Sequence, residues 1–122
     1  MPLRPWFLFR YGQLLMLLKR RARALEVFRS VARDDPGHHQ ALSCAAMLHA
    51  ERGEYAQAIE AFERVCLLTP DAAAPHFNIA FLLQRTGRHD EAIRRFERAL
   101  EADPSLERAR RGLAVSCAHL EK

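Results

Sequence analysis

Six histidines and three cysteines are the side chains of this chain that could ligate a metal ion or act as nucleophiles. Two such groups share one face of a helix when they lie three or four residues apart. Cys44 precedes His49 by five residues, and Cys117 precedes His119 by two. Neither pair meets that condition, so the sequence predicts no metal site and no cofactor.

Motifs of the common enzyme classes are also absent from the sequence. It contains no G-x-x-x-x-G-K-[ST], no G-x-G-x-x-G and no G-x-S-x-G. The paired acids Asp34 with Asp35 and Asp90 with Glu91 fall at predicted helix ends, where acids are ordinary. We therefore predict a protein that is not an enzyme, has no catalytic residues and takes no small-molecule substrate.

The cysteines indicate a compartment rather than a reaction. Cys44, Cys66 and Cys117 are odd in number and include no C-x-x-C pair, so they cannot form a closed set of disulfides. Free thiols of this kind are typical of reducing compartments. The sequence therefore predicts a cytoplasmic protein.

A repeat of 34 residues determines which elements must position any binding side chains. Pro36, Pro70 and Pro104 are spaced by that interval. An alanine and a phenylalanine precede each proline at fixed distances: Ala24 and Phe28, Ala58 and Phe62, Ala92 and Phe96. A period of this length is typical of stacked helical hairpins.

The pattern A-x3-F followed by proline resembles the tetratricopeptide repeat (TPR). The resemblance implies an all-α, right-handed α-solenoid of antiparallel helix hairpins, with about seven helices. It divides a single domain, 1–122, into repeats 5–38, 39–72 and 73–106 and a polar capping helix, 107–122. Nearly the whole chain is covered by this division.

Small residues recur at the eighth position of each repeat and should let helix backbones approach closely. They are Gly12, Ala46, Ala80 and Ala114. The repeated phenylalanines are expected to fill the space between hairpins. Each residue before a proline is a natural helix stop, because proline disfavours helical geometry there. These stops are Asp35, Thr69 and Asp103.

The turn inside the first repeat is less clearly encoded than the other two. Gly53 and Gly87 stand where the first helix must reverse, and glycine adopts positive φ at little cost. Lys19 holds that position in the first repeat. The sequence leaves two alternatives: a hairpin with Lys19 in the left-handed region, or one helix through Leu14 to Val31 that invites a domain-swapped dimer.

In the TPR family the first helix of each repeat lines a concave groove, and the resemblance carries that role to matching positions here. The predicted groove residues are Phe9, Gln13, Met47, Phe77, Asn78, Phe81, Arg85 and Arg108. Half of them, Phe9, Met47, Phe77 and Phe81, form an apolar stripe, which favours an apolar peptide or an amphipathic helix as ligand. The alternative for some of them, Phe81 and Phe9 included, is packing between repeats.

Chaperone-binding members of the family grip an acidic tail through a clamp of Lys, Asn and Arg. In one register the clamp would fall on Phe9, Gln13, Cys44, Ala74 and Asn78. Only two of those residues suit the role, and the other register does no better. The sequence therefore disfavours an acidic tail as the ligand.

The first helix is apolar almost all round. Leu8, Tyr11, Gly12 and Leu15 match core positions inside the repeat. The remaining large apolar residues have no assigned place inside: Trp6, Phe7, Phe9, Met16 and Leu17. Because a solenoid end normally carries a polar face, this excess predicts a partner site or a homodimer contact.

Charge is unevenly distributed along the chain. The net charge is +4, yet residues 1–33 hold eight basic residues against one acid, whereas 34–122 hold eleven against fourteen. A basic, apolar helix also resembles an interfacial membrane anchor, although the apolar stretch 6–18 is too short to span a bilayer. A solvated surface is the alternative. No nucleic-acid motif occurs, so nucleic acid is disfavoured as a partner.

Together these observations predict a non-enzymatic protein–protein interaction module that binds its partner in the TPR groove. The alternative is a peripheral membrane scaffold or a homodimer that uses the first helix.

Overall fold

The computed structural model describes residues 5–121, and its regular structure over that range consists of seven α-helices. They are α1 (Pro5–Leu17), α2 (Arg21–Asp34), α3 (His39–Glu51), α4 (Tyr55–Leu68), α5 (Ala73–Arg85), α6 (His89–Ala102) and α7 (Glu107–Leu120). Each predicted repeat contains one pair of helices, and α7 lies in the predicted capping segment. The predicted all-α fold with seven helices is confirmed.

The helices fall into two compact units, one ending at Leu68 and the other beginning at Thr69. In the first unit α1 packs on α2, α2 on α3, and α3 on α4. In the second unit α5 packs on α6, and α6 on α7. The division into one domain over 1–122 stays a prediction.

The core of the first unit is built around the repeated alanine and phenylalanine. Ala24 and Phe28 are fully buried on α2. They belong to a cluster that joins three helices: Leu15, Ala24, Leu25, Phe28, Ala45 and Leu48. Removing a buried phenylalanine ring of this kind costs about 3–5 kcal/mol.

Two glycines let buried phenylalanine rings lie directly against helix backbone. A Cβ on Gly12 would lie 2.6 Å from Cε1 of Phe28, and a Cβ on Gly112 would collide with the ring of Phe96. The expectation that Ala114 provides this close approach in the last helix is wrong, because Ala114 is exposed. The face of α7 that packs on α6 contains Gly112 instead.

All three hairpin turns close in the same way, including the one without glycine. Lys19 has a φ of 59°, beside 79° for Gly53 and 82° for Gly87. In the first turn the Arg20 amide donates to Leu15 O at 2.8 Å, and the Arg88 amide donates to Leu83 O at 2.9 Å in the third. The first repeat is therefore a hairpin, and the continuous-helix alternative is wrong.

The helix stops before the prolines are also present. Asp35 and Asp103 follow the last residues of α2 and α6, and their amides still donate to Val31 O and Ala99 O at 2.8 and 2.9 Å. The α4 helix ends at Leu68, directly before Thr69. All three stops lie where the pre-proline rule predicts them.

Replacing Lys19 with glycine should raise the free energy of unfolding. A non-glycine residue in the left-handed region costs about 1–2 kcal/mol, and glycine would relieve this cost. Glycine also raises the entropy of the unfolded chain, which offsets about half of the relief. We expect Lys19→Gly to stabilise the protein by about 0.5–1 kcal/mol in urea unfolding. Gly53→Ala is the matched opposite change, since nothing lies within 4 Å of the added Cβ and only the positive φ opposes it. Destabilisation by both variants would contradict this explanation of the first turn.

Replacing Gly112 with alanine should destabilise the second unit although alanine favours helix. The added methyl would overlap the buried ring of Phe96, and overpacking of this kind costs about 1–3 kcal/mol. Gly37→Ala is the control, because the atom nearest to its added Cβ, Asp35 Oδ1, is 3.8 Å away. Thermal unfolding of both variants checks the effect, and an equal melting temperature for Gly112→Ala and wild type would show that Phe96 can move aside.

Candidate functional site

Four predicted groove residues meet on one surface of the second unit. Phe77 and Phe81 lie one turn apart on α5, with ring centroids 6.3 Å apart and planes 24° from parallel. The Arg108 guanidinium from α7 lies 4.8 Å from the Phe77 ring centre, and that of Arg85 lies 5.6 Å from the Phe81 ring centre. We call Phe77, Phe81, Arg85 and Arg108 the α5 surface.

The α5 surface is anchored at one end and open at the other. The half-buried ring of Phe77 lies 5.9 Å from that of the fully buried Phe96. The Phe81 side of the surface is open, with that residue 41% exposed. Phe77 therefore supports the core and contributes to the surface at once. The guanidinium groups hold the rings by cation–π contacts worth about 0.5–1 kcal/mol each at exposed sites.

A polar network behind this surface fixes α7 against α5. Gln84 Nε2 donates to Gly112 O and to Ser116 Oγ, both at 2.9 Å, and His89 Nδ1 lies 3.2 Å from the same hydroxyl. Ser116 is fully buried. This role of Ser116 could not be predicted, because a lone serine in a helix belongs to no sequence motif. The network holds the helix that carries Arg108.

The predicted groove residues of the first unit are less uniform. Met47 is exposed on α3 and Gln13 is half-buried, accepting a hydrogen bond from Arg10 Nη1 at 3.1 Å. The ring of Phe9 lies 5.7 Å from that of Phe28 and 4.8 Å from that of His38. Phe9 is thus partly a packing residue. Asn78, the remaining predicted groove residue, is half-buried beside Phe77 on α5.

The α1 segment, defined as α1 together with Leu18, exposes large apolar residues that differ in part from the expected ones. Phe9 and Met16 pack against the core of the first unit, whereas Tyr11, expected inside, is exposed. The reason is that Tyr11 lies at the edge of the α1–α2 contact, where Arg23 Nη2 of α2 donates to its hydroxyl. The exposed large apolar residues of the α1 segment are Trp6, Phe7, Tyr11, Leu14, Leu17 and Leu18.

Two aromatic side chains lie together at the start of the α1 segment. Among the helices of residues 5–121, none has the length and apolar character needed to cross a bilayer. The rings of Trp6 and Phe7 stack on each other at a centroid distance of 4.0 Å, so two large aromatic groups form one exposed platform.

The histidines and cysteines are used for packing and capping where their contacts are defined. His49 Nδ1 lies 3.0 Å from Glu54 Oε1, and this hydrogen bond lowers the pKa of the Glu54 carboxyl. His38 Nδ1 accepts from the Ala41 amide at 3.2 Å and so caps α3. Burial raises the pKa of the Cys44 thiol, which disfavours the reactive thiolate. Over residues 5–121, no cluster of three or more His, Cys, Asp or Glu side chains could hold a metal ion.

An open cavity of about 400 Å³ lies among α2, α3 and α4. Its lining includes the apolar residues Ala32, Leu42 and Ala45, and three arginines against one acid: Arg29, Arg33, Arg64 and Glu60. Part of the positive charge of the first unit is thus gathered in one concave place. The periodic pattern did not predict this cavity, because arginines on the outer side of a helix read as a solvated surface.

Comparison with known proteins agrees with the repeat pattern. Two family models, both described as tetratricopeptide repeat, match residues 9–76 and 49–115. The TPR repeat-containing thioredoxin TTL4 of Arabidopsis thaliana is 36% identical over 63 residues, which are 52% of this chain and 9% of that protein. The chain therefore spans less than a tenth of the length of this relative.

Solved structures share the fold at low sequence identity. A crystal structure of MamA superposes with a TM-score of 0.91 at 19% identity, covering 97% of this chain and 69% of the other. The first TPR of Spaghetti (RPAP3), bound to an HSP90 peptide, gives 0.89 at 16% identity and covers 97% and 94%. The Yersinia enterocolitica type III secretion chaperone SycD, in complex with a YopD peptide, gives 0.86 at 16% and covers 92% and 91%.

These likenesses show the α-solenoid fold class that the repeat predicts. Each of the two family matches spans more than half of the 122 residues. On that ground, and with the helix pairs and turns that its 34-residue period predicts, the chain belongs to the tetratricopeptide repeat family.

Proposed function

We propose that this chain is a non-enzymatic protein-interaction module that binds an apolar peptide or an amphipathic helix in the TPR groove. The observation that carries the proposal is the α5 surface, where the exposed ring of Phe81 lies 6.3 Å from the ring of Phe77 and 5.6 Å from the Arg85 guanidinium. An exposed aromatic ring that is already fixed in place is the usual form of an interface anchor.

Two structural neighbours support a peptide as the kind of ligand. The first TPR of Spaghetti (RPAP3) was solved with the HSP90 peptide SRMEEVD, and SycD with a peptide of the translocator YopD. The acidic HSP90 peptide suits a basic clamp, and this chain has Phe9, Cys44 and Ala74 at three of the predicted clamp positions. The ligand proposed here is therefore apolar at its anchor.

Preorganisation explains how such a surface binds without large ordering costs. Binding loses affinity for every side chain that must be immobilised, about 0.5–1.5 kcal/mol each. The stacking of Phe77 on Phe81 and the overlying guanidinium groups restrict both rings before a ligand arrives. Arg85 and Arg108 also place positive charge beside the rings, which suits an acidic residue flanking the apolar anchor.

The same proposal includes a protein or peptide as the partner, a cytoplasmic location, and no cofactor, metal or small-molecule substrate. The first unit has predicted groove residues of its own, Phe9, Gln13 and Met47. Met47 supports this role best, because its flexible side chain is exposed and can adapt to shape.

Selection of a random peptide library displayed on phage tests the groove. We expect the wild-type protein to select peptides with an aromatic or aliphatic anchor, and Phe81→Ala to weaken binding of a selected peptide by about tenfold. Leu67→Ala is the matched control, since Leu67 is also exposed but lies on α4, the second helix of its repeat. Fluorescence anisotropy of a labelled selected peptide gives both affinities. Equal binding by Phe81→Ala and wild type would remove the α5 surface from the site.

The exposed apolar residues of α1 favour a second candidate function, contact with a second copy of the chain or with a membrane surface. Trp6, Phe7 and Leu17 are exposed as this candidate requires, whereas Phe9 and Met16 are only partly available. Arg10 lies on this helix, and the basic run 19–21 follows it. Anionic lipid would be attracted by that charge.

For this second candidate we expect Trp6→Ser combined with Leu17→Ser to abolish the contact. If the contact is with a second copy, light scattering should show a dimer for the wild type and a monomer for the variant. If the contact is with a membrane, the wild type should co-sediment with phosphatidylserine vesicles at low salt and the variant should not. A wild-type protein that is monomeric and stays in the supernatant with vesicles would refute both versions.

A further inference from the structure

Four exposed side chains form a continuous apolar stripe along one side of the α1 segment. Phe7, Tyr11, Leu14 and Leu18 are spaced by four, three and four residues and are 50%, 39%, 50% and 60% exposed. The Leu18 amide still donates to Leu14 O at 3.0 Å, so the stripe follows the helical path beyond the last residue of α1. We call these four residues the edge face.

The corresponding face of α3 is covered within the same unit. The residues 34 positions after Phe7, Tyr11 and Leu14 are 0%, 4% and 2% exposed; they are Ala41, Ala45 and Leu48. Ala45 and Leu48 lie in one cluster with Ala24 and Phe28 of α2. The second helix of the first repeat is therefore what covers this face of α3.

The same relation holds between α6 and α7 in the other unit. Ala109 and Ser116, which stand 102 residues after Phe7 and Leu14, are both fully buried. Gly112 lies between them and meets the ring of Phe96 from α6. In both places a first helix presents this face to the second helix of the preceding repeat.

The residue types of the edge face suit a covered surface better than a solvated one. Two aromatic and two aliphatic side chains make up this face, and a contiguous exposed apolar patch of this kind marks an interaction site. Spacings of four and three residues are those at which apolar side chains mesh with a second helix. The covered faces of α3 and α7 show that the repeat geometry admits a helix at this position.

The positive charge around the edge face favours an acidic partner over a second copy of the chain. Arg23 Nη2 donates to the Tyr11 hydroxyl at 3.0 Å, so a guanidinium group lies at the rim of the stripe. Glu26 is the single acid in residues 1–33, against eight basic residues. A second copy docking through this region would bring the same positive charge, whereas an acidic partner would be attracted.

We propose that the edge face docks an amphipathic helix of a partner protein, with acidic residues flanking its apolar stripe, in the place that α2 takes on α3. This site is separate from the groove proposed above. In the α2–α3 contact the covering helix α2 carries the bulky Phe28 and the covered helix α3 carries the small Ala45. On the edge face it is the covered helix that carries the bulky side chains. Opposite Phe7 and Tyr11 the docking helix would therefore carry small side chains, which allow close approach.

A helical peptide made from this chain provides the probe. It has the sequence of residues 21–34, with all four arginines changed to glutamate, Phe28→Ala, and a covalent staple that holds it helical. Trp6 is the single tryptophan of the chain and stacks on Phe7, so its fluorescence reports on the edge face, and the peptide contains no tryptophan. We expect a saturable change in Trp6 fluorescence that weakens as salt is raised.

Variants of the full chain locate the binding. Leu14→Ser should weaken the peptide by about tenfold, because it removes an apolar group from the centre of the stripe. Leu67→Ser is the matched control, since it makes the same change at another exposed leucine, on α4, and Phe81→Ala separates this site from the groove. Both should bind like wild type. If circular dichroism shows that Leu14→Ser loses helix, Leu18→Ser takes its place.

Several outcomes would overturn the proposal. Undiminished binding by Leu14→Ser would place the peptide elsewhere, and equal binding of the stapled peptide that keeps its arginines would refute the acidic partner. A wild-type dimer in light scattering that Leu14→Ser dissociates, with no response to the peptide, would assign the face to a second copy. A response to phosphatidylserine vesicles alone would assign it to a membrane. No response to any probe would refute docking at this face.

Discussion

The close fit of a buried phenylalanine ring against a helix backbone is the contact on which the rest of the structure depends. Phe28 lies against Gly12 inside the first repeat, and Phe96 lies against Gly112 of the following helix. The ring can approach because the glycine carries no side chain. This contact orients α7 on α6, and α7 in turn carries Arg108 over Phe77. The geometry of the candidate binding surface thus begins in the core.

Much of the fold could be predicted from the sequence because the same local signals occur three times. Proline, alanine and phenylalanine recur at fixed positions, and each marks a helix stop or a buried contact that involves near neighbours in the chain. Even the turn at Lys19 forms as its repeat position predicts, since packing of α1 on α2 outweighs the cost of a positive φ. Tertiary context decides where local preference is weak.

The surfaces were harder to predict, and the reason is the same at both ends of the described chain. A repeat position defines which way a side chain points, but its burial depends on whether a neighbouring helix is there. Tyr11 and Ala114 occupy positions that are buried elsewhere in the repeat and are exposed here. The α5 surface was predicted more fully, because Phe77 and Phe81 lie in a repeat with helices on either side of it in the sequence.

Sequential packing has a kinetic consequence. Within each unit every helix packs on the next one along the chain, so the native contacts join residues that are close in sequence. Proteins of low contact order fold quickly, since little loop-closure entropy is lost before favourable contacts form. Each hairpin can therefore serve as a nucleus on which its neighbour orders. A chain of this kind can begin to fold while it is still being synthesised, one helix pair after another.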